Sequence, residues 1–279
     1  MPARLLDGRK IAQSILDDGR HRAQKLPGLP PRLAVVLIGD SPPAQVYATQ
    51  LAKLGGRSGV EVSRLQLGGN MSIDELQAQV AALNADRAVD GILIQMPLPE
   101  HLVSVSLDGM VDGRKDVDGI TVQNAGRLYL GLPGQRPSTA VAIMDILQRS
   151  GVVLEGAHAV VVGRSPVVGH PVAEMLLATH ASVTILHRRS PDLQAFTVLA
   201  DVLVVAAGAP GLISPGMVKP GAVVVDAGIT STDEGFVGDV QSAVAEVASA
   251  LTPVPGGVGP VTTAVLLRAV IDSAEQRGT

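Results

Sequence analysis

Apolar and polar residues alternate along the chain in a pattern that predicts strands separated by helices. Short apolar runs rich in β-branched residues predict strands at 33–38, 60–67 and 91–95. Between the last two, apolar spacing predicts a helix over 72–83 that begins at a Ser72-x-x-Glu75 capping box. An earlier amphipathic helix follows Asp7, a residue type suited to cap a helix. Because helical stretches separate the strands, we expect parallel pairing in an α/β unit.

The same alternation begins again near residue 141. Apolar runs predict strands at 158–162, 183–187, 202–206 and 222–226, and a last apolar helix is predicted over 261–275. The chain has 279 residues, which is enough for two domains. The pattern therefore predicts a two-domain α/β protein with mostly parallel sheets, divided into 1–140 and 141–260.

Composition excludes several classes of protein. Hydrophobic residues make up 46% of the chain and charged residues 17%, which favours a buried core over disorder. The net charge of −4 lacks the basic excess that binds phosphate backbones. Two Tyr, two Phe and no Trp leave no aromatic surface for stacking bases. We expect no nucleic-acid partner.

The chain has no cysteine, which excludes disulfides and cysteine nucleophiles and fits a reducing compartment. Its six histidines show no spacing typical of metal ligands, so no metal is expected. No apolar run approaches the length of a membrane span, and the first residues lack the apolar region of a secretory signal. The sequence predicts a soluble, cytoplasmic protein without a membrane partner.

A glycine-containing loop follows the predicted strand 158–162. Gly163 stands at the strand end and Gly169 at the start of a predicted helix, an arrangement that brings backbone N–H groups close to a pyrophosphate. Ser165 occupies the place of the middle glycine of the GxGxxG pattern. An alternative is an ordinary strand–turn–helix in which the glycines only serve the backbone geometry.

The next predicted strand ends in Arg188-Arg189. An NAD site usually carries an acidic residue about 20 residues after the loop, where it binds the ribose hydroxyls. Two cations in its place favour the extra phosphate of NADP. The alternative is a solvated basic turn without a ligand.

Several distinct sequence motifs follow one another along the chain. They are Gly39-Asp40-Ser41-Pro42 with Tyr47, Gly91-Ile-Leu-Ile-Gln95-Met-Pro97-Leu98-Pro99, Lys115-Asp116-Val117-Asp118-Gly119, Asn124-x-Gly126-Arg127-Leu128, Gly163-Arg164-Ser165 with Val168-Gly169, Asp226-x-Gly228-Ile229, and Thr252-Pro253-Val254-Pro255-Gly256-Gly257-Val258-Gly259-Pro260. Together they span the chain, which resembles the bifunctional methylenetetrahydrofolate dehydrogenase/cyclohydrolases. The resemblance implies a folate domain over 1–140, a Rossmann-like NADP domain over 141–260, a final helix (261–279) that returns to the first domain, and a homodimer.

The resemblance also implies roles for the matching positions. Tyr47 contacts the pterin-bearing substrate and takes part in a proton relay, Gln95 orients that relay, and Asp118 hydrogen-bonds the pterin. The implied substrate-binding loop is Pro255, Gly256 and Gly257. The implied NADP-binding residues are Gly163, Arg164, Ser165, Arg188 and Ile229, with Gly169 and Arg189 from the loop and turn already described. Without the resemblance, Gln95 still stands at the carboxyl end of a predicted parallel strand, where side chains face the ligand crevice, and the alternative is a simple strand cap. For 253–260 the alternative is a rigid loop whose glycines supply positive φ.

The chain departs from the family at a lysine four residues after the tyrosine, which is Leu51 here. Lys53 is six residues beyond Tyr47, and six steps of about 100° leave it about 120° away around a helix. Thr121-Val122, Ala140 and Thr230 also differ from the family pattern.

Hydride transfer requires positioned carbon atoms, whereas ring opening requires proton transfers. We therefore expect the dehydrogenase activity to survive more readily than the cyclohydrolase activity, and Leu51→Lys to restore some hydrolysis. The alternatives are a non-catalytic paralogue that binds folate or NADP, and an NADP dehydrogenase for another small substrate.

Overall fold

The computed structural model describes residues 2–102, 109–233 and 235–278. The chain divides into two compact units: unit 1 comprises Met1–Ala12 and Pro137–Thr262, and unit 2 comprises Gln13–Arg136 and Thr263–Thr279. The division differs from the predicted one at the start of the chain, since the first twelve residues belong to unit 1. The reason is a short strand, Arg4–Leu5, that pairs with Ala250–Leu251.

The elements alternate as the sequence pattern predicts. The strands are β1 Arg4–Leu5, β2 Arg32–Ile38, β3 Glu61–Leu67, β4 Gly91–Ile94, β5 His158–Val162, β6 Ser182–Leu186, β7 Val202–Val205, β8 Val223–Asp226, β9 Thr230–Thr232, β10 Gly235–Val237 and β11 Ala250–Leu251. The helices are α1 Gly8–Ala23, α2 Pro42–Ser58, α3 Ile73–Ala85, α4 Val122–Tyr129, α5 Ser138–Arg149, α6 Gly169–Ala178, α7 Gln194–Thr197 and α8 Val258–Glu275. Short 3₁₀ turns lie at Glu100–Leu102, Pro215–Met217, Ser242–Glu246 and Gln276–Gly278.

Unit 2 is built on a three-stranded parallel sheet in the order β3-β2-β4. The central strand β2 is buried from Leu33 to Ile38, which explains why it is apolar throughout instead of alternating. The predicted capping box starts α3: Glu75 N–H donates to Ser72 Oγ at 3.2 Å, and Ser72 N–H donates to Glu75 Oε2 at 2.7 Å. The carboxyl ends of β2 and β4 share one edge of the sheet, so the residues after them lie close together.

Unit 1 is built on a six-stranded sheet in the order β1-β11-β8-β7-β5-β6, with every pairing parallel. The chain runs from β5 to β6 and then returns to the other side of β5 for β7, so the order reverses there. Ligands of open α/β sheets bind outside the carboxyl ends of the strands at such a reversal. This position is occupied by the loop that begins at Gly163.

The predicted element boundaries shift by a few residues at most. The last helix begins at Val258, three residues earlier than its apolar pattern indicates. Gly259 and Pro260 obscure this start in the sequence, although proline is compatible with the first turn of a helix, where its missing N–H has no intrahelical partner. The antiparallel β9–β10 hairpin was not predicted, because its three-residue strands are too short for a hydrophobic period to emerge.

Candidate functional site

The loop between β5 and α6 is shaped by its two glycines. Gly163 has φ of 136°, and a Cβ there would overlap the carbonyl of Ala206 at the end of β7. A Cβ on Gly169 would overlap the carbonyl of Gly163. Only glycine lets the backbone approach this closely, so Gly163 packs against the residue after β7 and the start of α6 packs against Gly163.

Ser165 organises the turn between the two glycines. Its Oγ accepts hydrogen bonds from the N–H groups of Val168 (3.1 Å) and Gly169 (3.4 Å). The neighbouring Arg164 is exposed. The first turn of α6 carries backbone N–H groups and a partial positive charge, which suit a phosphate. The backbone of this loop thus fits a pyrophosphate cradle.

The two arginines after β6 stand at the tip of a tight turn. Ser190 N–H donates to the His187 carbonyl at 2.7 Å, which closes the turn, and His187 N–H donates to Ser190 Oγ at 3.1 Å. Arg188 and Arg189 occupy the two central positions and are exposed. Because β6 is the neighbour of β5 in the sheet, this turn lies next to the glycine loop and offers two guanidinium groups to an anion.

Two buried aspartates support the loops after β7 and β8. Asp239 is 0% exposed, and its carboxylate accepts hydrogen bonds from the N–H groups of Ala207 (2.7 Å), Gly208 (2.8 Å) and Ala209 (2.8 Å). Asp226 ends β8, and its carboxylate accepts from the N–H groups of Gly228, Asp239 and Val240 at 2.9, 3.1 and 2.9 Å.

Burial and the negative charge of Asp239 raise the pKa of Asp226 to about 6, against the lowering effect of its three N–H donors. Neither aspartate has a role that the sequence predicts. Each follows an apolar or glycine-rich stretch, and only the fold reveals that their carboxylates lie among backbone donors. Ile229, in the same loop as Gly228, is 62% exposed and available to a ligand.

In unit 2, Tyr47 of helix α2 interacts with one residue that was predicted from the sequence, Asp118, and with one that was not, Thr263. The Tyr47 hydroxyl is hydrogen-bonded to the side chain of Thr263 in α8, and Asp118 is near enough to act on it electrostatically. Burial, together with the negative charge of Asp118, raises the pKa of Tyr47 above its usual value. The phenol therefore stays protonated at neutral pH and can donate a hydrogen bond. Sequence reasoning missed Thr263, which lies more than 200 residues from Tyr47 in an apolar helix.

The segment before Asp118 is fixed by its neighbours. The Lys115 ammonium donates to the carbonyls of Leu83 (2.9 Å), Asn84 (2.8 Å) and Asp86 (2.7 Å) at the end of α3, and burial lowers its pKa. This is a lysine cap on a helix C-terminus. It anchors the segment that leads to Asp118.

The buried Asp116 anchors the other side of that segment. Its carboxylate accepts from the N–H groups of Ile120 and Thr121 and from the Asn124 amide, at 3.2, 2.9 and 2.9 Å. Thr121 in turn caps α4, since Asn124 N–H donates to its Oγ1 at 3.3 Å. Asp118 itself is half-buried and lies between these two anchors.

Gln95 directly follows β4 and is half-buried at the same sheet edge. Its backbone N–H extends the ladder to the Val36 carbonyl at 2.9 Å, and its side-chain amide donates to the Met96 carbonyl at 3.0 Å. The side chain therefore contacts its own loop, as the strand-cap alternative requires. The role of Gln95 in substrate binding stays a prediction.

One turn of α2 beyond Tyr47, Leu51 is 0% exposed and packs into the core. Lys53 is exposed on the outer face of the same helix, as its angular offset predicts. The Lys115 ammonium is hydrogen-bonded to the carbonyls at the end of α3. The position one turn after Tyr47 therefore offers only an aliphatic side chain.

The Pro255-Gly256-Gly257 segment packs on the start of α1 within unit 1. Gly8 N–H donates to the Gly256 carbonyl at 3.1 Å, and a Cβ on Gly8 would overlap the Gly257 carbonyl. Gly256 has φ of 110° and, like Gly257, is buried, whereas Pro255 is exposed. This geometry explains the two glycines by backbone packing. Pro255 is the exposed member of the set.

In the parts of the chain that the structure describes, no group of three or more His, Asp or Glu side chains could share a metal ion. None of the helices in those parts combines the length and the apolar character of a membrane span.

The sheet of unit 1, with its glycine loop at the reversal of strand order, defines a Rossmann-like NAD(P)-binding fold. Two family models match the chain: the tetrahydrofolate dehydrogenase/cyclohydrolase catalytic domain over residues 6–118, and the NAD(P)-binding domain of the same family over residues 137–278. The chain belongs to the tetrahydrofolate dehydrogenase/cyclohydrolase family.

Full-length relatives agree with this assignment. The chain is 46% identical over 278 residues to the bifunctional protein FolD of Bordetella petrii, covering 98% of this chain and 95% of that one. It resembles the crystal structure of the bifunctional FolD enzyme of Campylobacter jejuni with a TM-score of 0.95 at 40% identity, covering 99% of both chains. It also resembles the Trypanosoma brucei enzyme complexed with NADP and an inhibitor, with a TM-score of 0.92 at 33% identity and coverage of 99% and 98%.

Proposed function

We propose that this protein is an NADP-dependent methylenetetrahydrofolate dehydrogenase of one-carbon metabolism, in a family that also hydrolyses methenyltetrahydrofolate. The observation that carries the proposal is the glycine loop of 163–169 beside the exposed Arg188-Arg189 turn, within a chain that matches both family domains. The comparisons give no support to a non-catalytic paralogue or to a dehydrogenase for another substrate.

On the cofactor side, Gly163, Ser165 and Gly169 would form the pyrophosphate cradle with the first turn of α6. Arg164 and the Arg188-Arg189 turn would bind the remaining anionic groups, with the 2′-phosphate of NADP on the turn. Ile229 would offer an exposed apolar contact from the loop after β8. NADP, when bound, supplies the acceptor for the hydride.

On the folate side, Tyr47, Gln95 and Asp118 would contact the pterin-bearing substrate. The substrate-binding role of Pro255, Gly256 and Gly257 stays a prediction. Asp118 can accept hydrogen bonds from the amino and ring N–H groups of a pterin. Tyr47, kept protonated by burial, can donate one. Hydride transfer needs these residues to orient the substrate, and it needs no proton from the protein.

Ring opening makes a different demand. Water must lose a proton and a ring nitrogen must gain one, so a positioned acid or base contributes roughly 10²–10⁴ in rate. Leu51 cannot exchange a proton, and Tyr47 is a poor base. The comparisons do not support weak hydrolysis, since the Bordetella petrii relative is named a bifunctional protein and the Campylobacter jejuni enzyme a dehydrogenase/cyclohydrolase. The weakness of the cyclohydrolase step remains a prediction that rests on Leu51.

The decisive experiment is a spectrophotometric assay of NADPH formation with methylenetetrahydrofolate. We expect turnover with a higher kcat/KM for NADP than for NAD. Equal efficiency with both cofactors would contradict the role of the arginine turn, and no turnover would contradict the function itself. Calorimetric titrations with folate and with NADP separately would then show which ligand still binds.

We also propose that the protein acts in the cytoplasm as a homodimer. The absence of cysteine fits a reducing compartment. The edge strand β6 exposes Ile185 and the adjacent α6 exposes Leu177, which suits a self-association surface. Light scattering at micromolar concentration should give the mass of two chains.

A further inference from the structure

The loops after β7 and β8 are held by carboxylates that belong to the protein. We propose that Asp239, supported by Asp226, is a positioning residue for NADP, because its carboxylate fixes the loop of 206–209 against which the cofactor loop is folded. This inference rests on the proposed function, since it concerns NADP in unit 1.

The contacts run without a break from Asp239 to the cofactor loop. The carboxylate accepts from three successive N–H groups, those of residues 207–209. Ala206, which precedes them, donates its own N–H to the Val162 carbonyl at 2.8 Å. Its carbonyl fills the space where a side chain on Gly163 would lie. A shift of the 206–209 loop therefore displaces Gly163, on which Gly169 and the start of α6 rest.

Asp226 fixes Asp239 in turn. It accepts the backbone N–H of Asp239, and the two carboxylates fill the space beside Gly228 and Gly238, where any Cβ would overlap them. Glycines at both positions thus accommodate the buried acids. The loops after two neighbouring strands are joined through this pair.

The arrangement also determines which groups remain for a ligand. N–H groups at residues 207–209 point to an anion, as in a phosphate-binding loop, but the anion is Asp239 itself. These three amides are therefore satisfied before any cofactor arrives. The phosphates of NADP are left to the glycine loop and to α6.

Asp239→Asn tests the positioning role, because asparagine has the same size but carries no negative charge. Its Oδ1 can still accept hydrogen bonds, whereas the NH2 group that replaces the second carboxylate oxygen cannot. Charge-assisted bonds to buried donors are strong. We expect the Kd for NADP and the KM for NADP to rise by about tenfold or more, while the KM for methylenetetrahydrofolate stays within about twofold. The matched control is Asp233→Asn, an exposed acid in the turn after β9, which should leave both constants unchanged.

A folded Asp239→Asn protein with unchanged NADP affinity would overturn the proposal, as would an equal loss of affinity for both ligands. If the variant does not fold, amide hydrogen exchange in the wild-type protein decides. We expect the amides of residues 207–209 to be protected equally with and without NADP. Fast exchange that only NADP suppresses would show that the cofactor, not Asp239, holds the loop. A wild-type protein that fails to bind NADP would contradict the proposed function, while the exchange measurement would still test the clamp.

Discussion

The proposed ligand sites of the two units are built in different ways. Unit 1 shapes its site with backbone: glycines at 163 and 169 permit the close approach, and Asp239 and Asp226 fix the loops with six N–H bonds. Unit 2 shapes its site with side chains from separate segments, Tyr47 from α2, Thr263 from α8 and Asp118 from a loop. A backbone-built site tolerates few substitutions, whereas a side-chain site can lose one group and keep the rest. The substitution at Leu51 falls in the second kind.

Gly163→Ala is the strongest test of this difference, because it changes the backbone of the cofactor loop in unit 1. The residue would need a positive φ that alanine rarely adopts, and its Cβ would overlap the Ala206 carbonyl. We expect NADP affinity to fall by roughly a thousandfold or to be lost, because strain and overlap add. Gly216→Ala is the matched control, since its Cβ meets no atom within 4 Å. Near-normal NADP titrations of both variants would show that the loop is not built as described.

The fold was predictable where a local signal exists. Buried parallel strands are apolar throughout, and the Ser72-Glu75 box starts α3 where its sequence indicates. The glycine loop was found because glycine spacing records backbone geometry directly. Asp239, Thr263 and strand β1 were not found, because each acts only through partners distant in the chain. Arg4–Leu5 is too short to show a period, and no local feature distinguishes Asp239 from a surface acid.

The buried acid pair should make the stability of unit 1 depend on pH. Burial and Asp239 raise the pKa of Asp226 from 3.8 to about 6, so the folded state binds its proton more tightly than the unfolded state. This stabilisation is complete below pH 3.8 and is lost as pH rises through 6. The difference between the two pKa values corresponds to about 3 kcal/mol in the free energy of unfolding.

Asp226→Asn removes that titration and isolates its effect. We expect the free energy of unfolding, measured with denaturant, to fall between pH 4 and 7. The fall should be larger for the wild-type protein than for Asp226→Asn. Asp233→Asn should follow the wild type, since its carboxylate is exposed. Parallel curves of unfolding free energy against pH for the wild type and Asp226→Asn would mean that Asp226 is not held as described. A wild-type protein that becomes more stable as pH rises would contradict the predicted direction of the pKa shift.

Leu51→Lys tests the site of unit 2, and we expect its effect to be smaller than those described above. Leu51 lies one turn beyond Tyr47 on the same helix face, so a lysine there can extend its stem along the core and bring its ammonium toward the Tyr47 hydroxyl. We expect Leu51→Lys to raise hydrolysis of methenyltetrahydrofolate by about ten- to a hundredfold. The gain should stay below the full value of a positioned acid–base group, because the variant keeps the other departures from the family pattern, Thr121, Ala140 and Thr230. NADPH formation should change little, since hydride transfer needs no proton. Leu51→Met, which keeps an apolar side chain of similar volume, controls for repacking and should gain no hydrolysis. Wild-type hydrolysis as fast as NADPH formation, or equal hydrolysis by the Lys and Met variants, would show that ring opening obtains its proton transfers from another group.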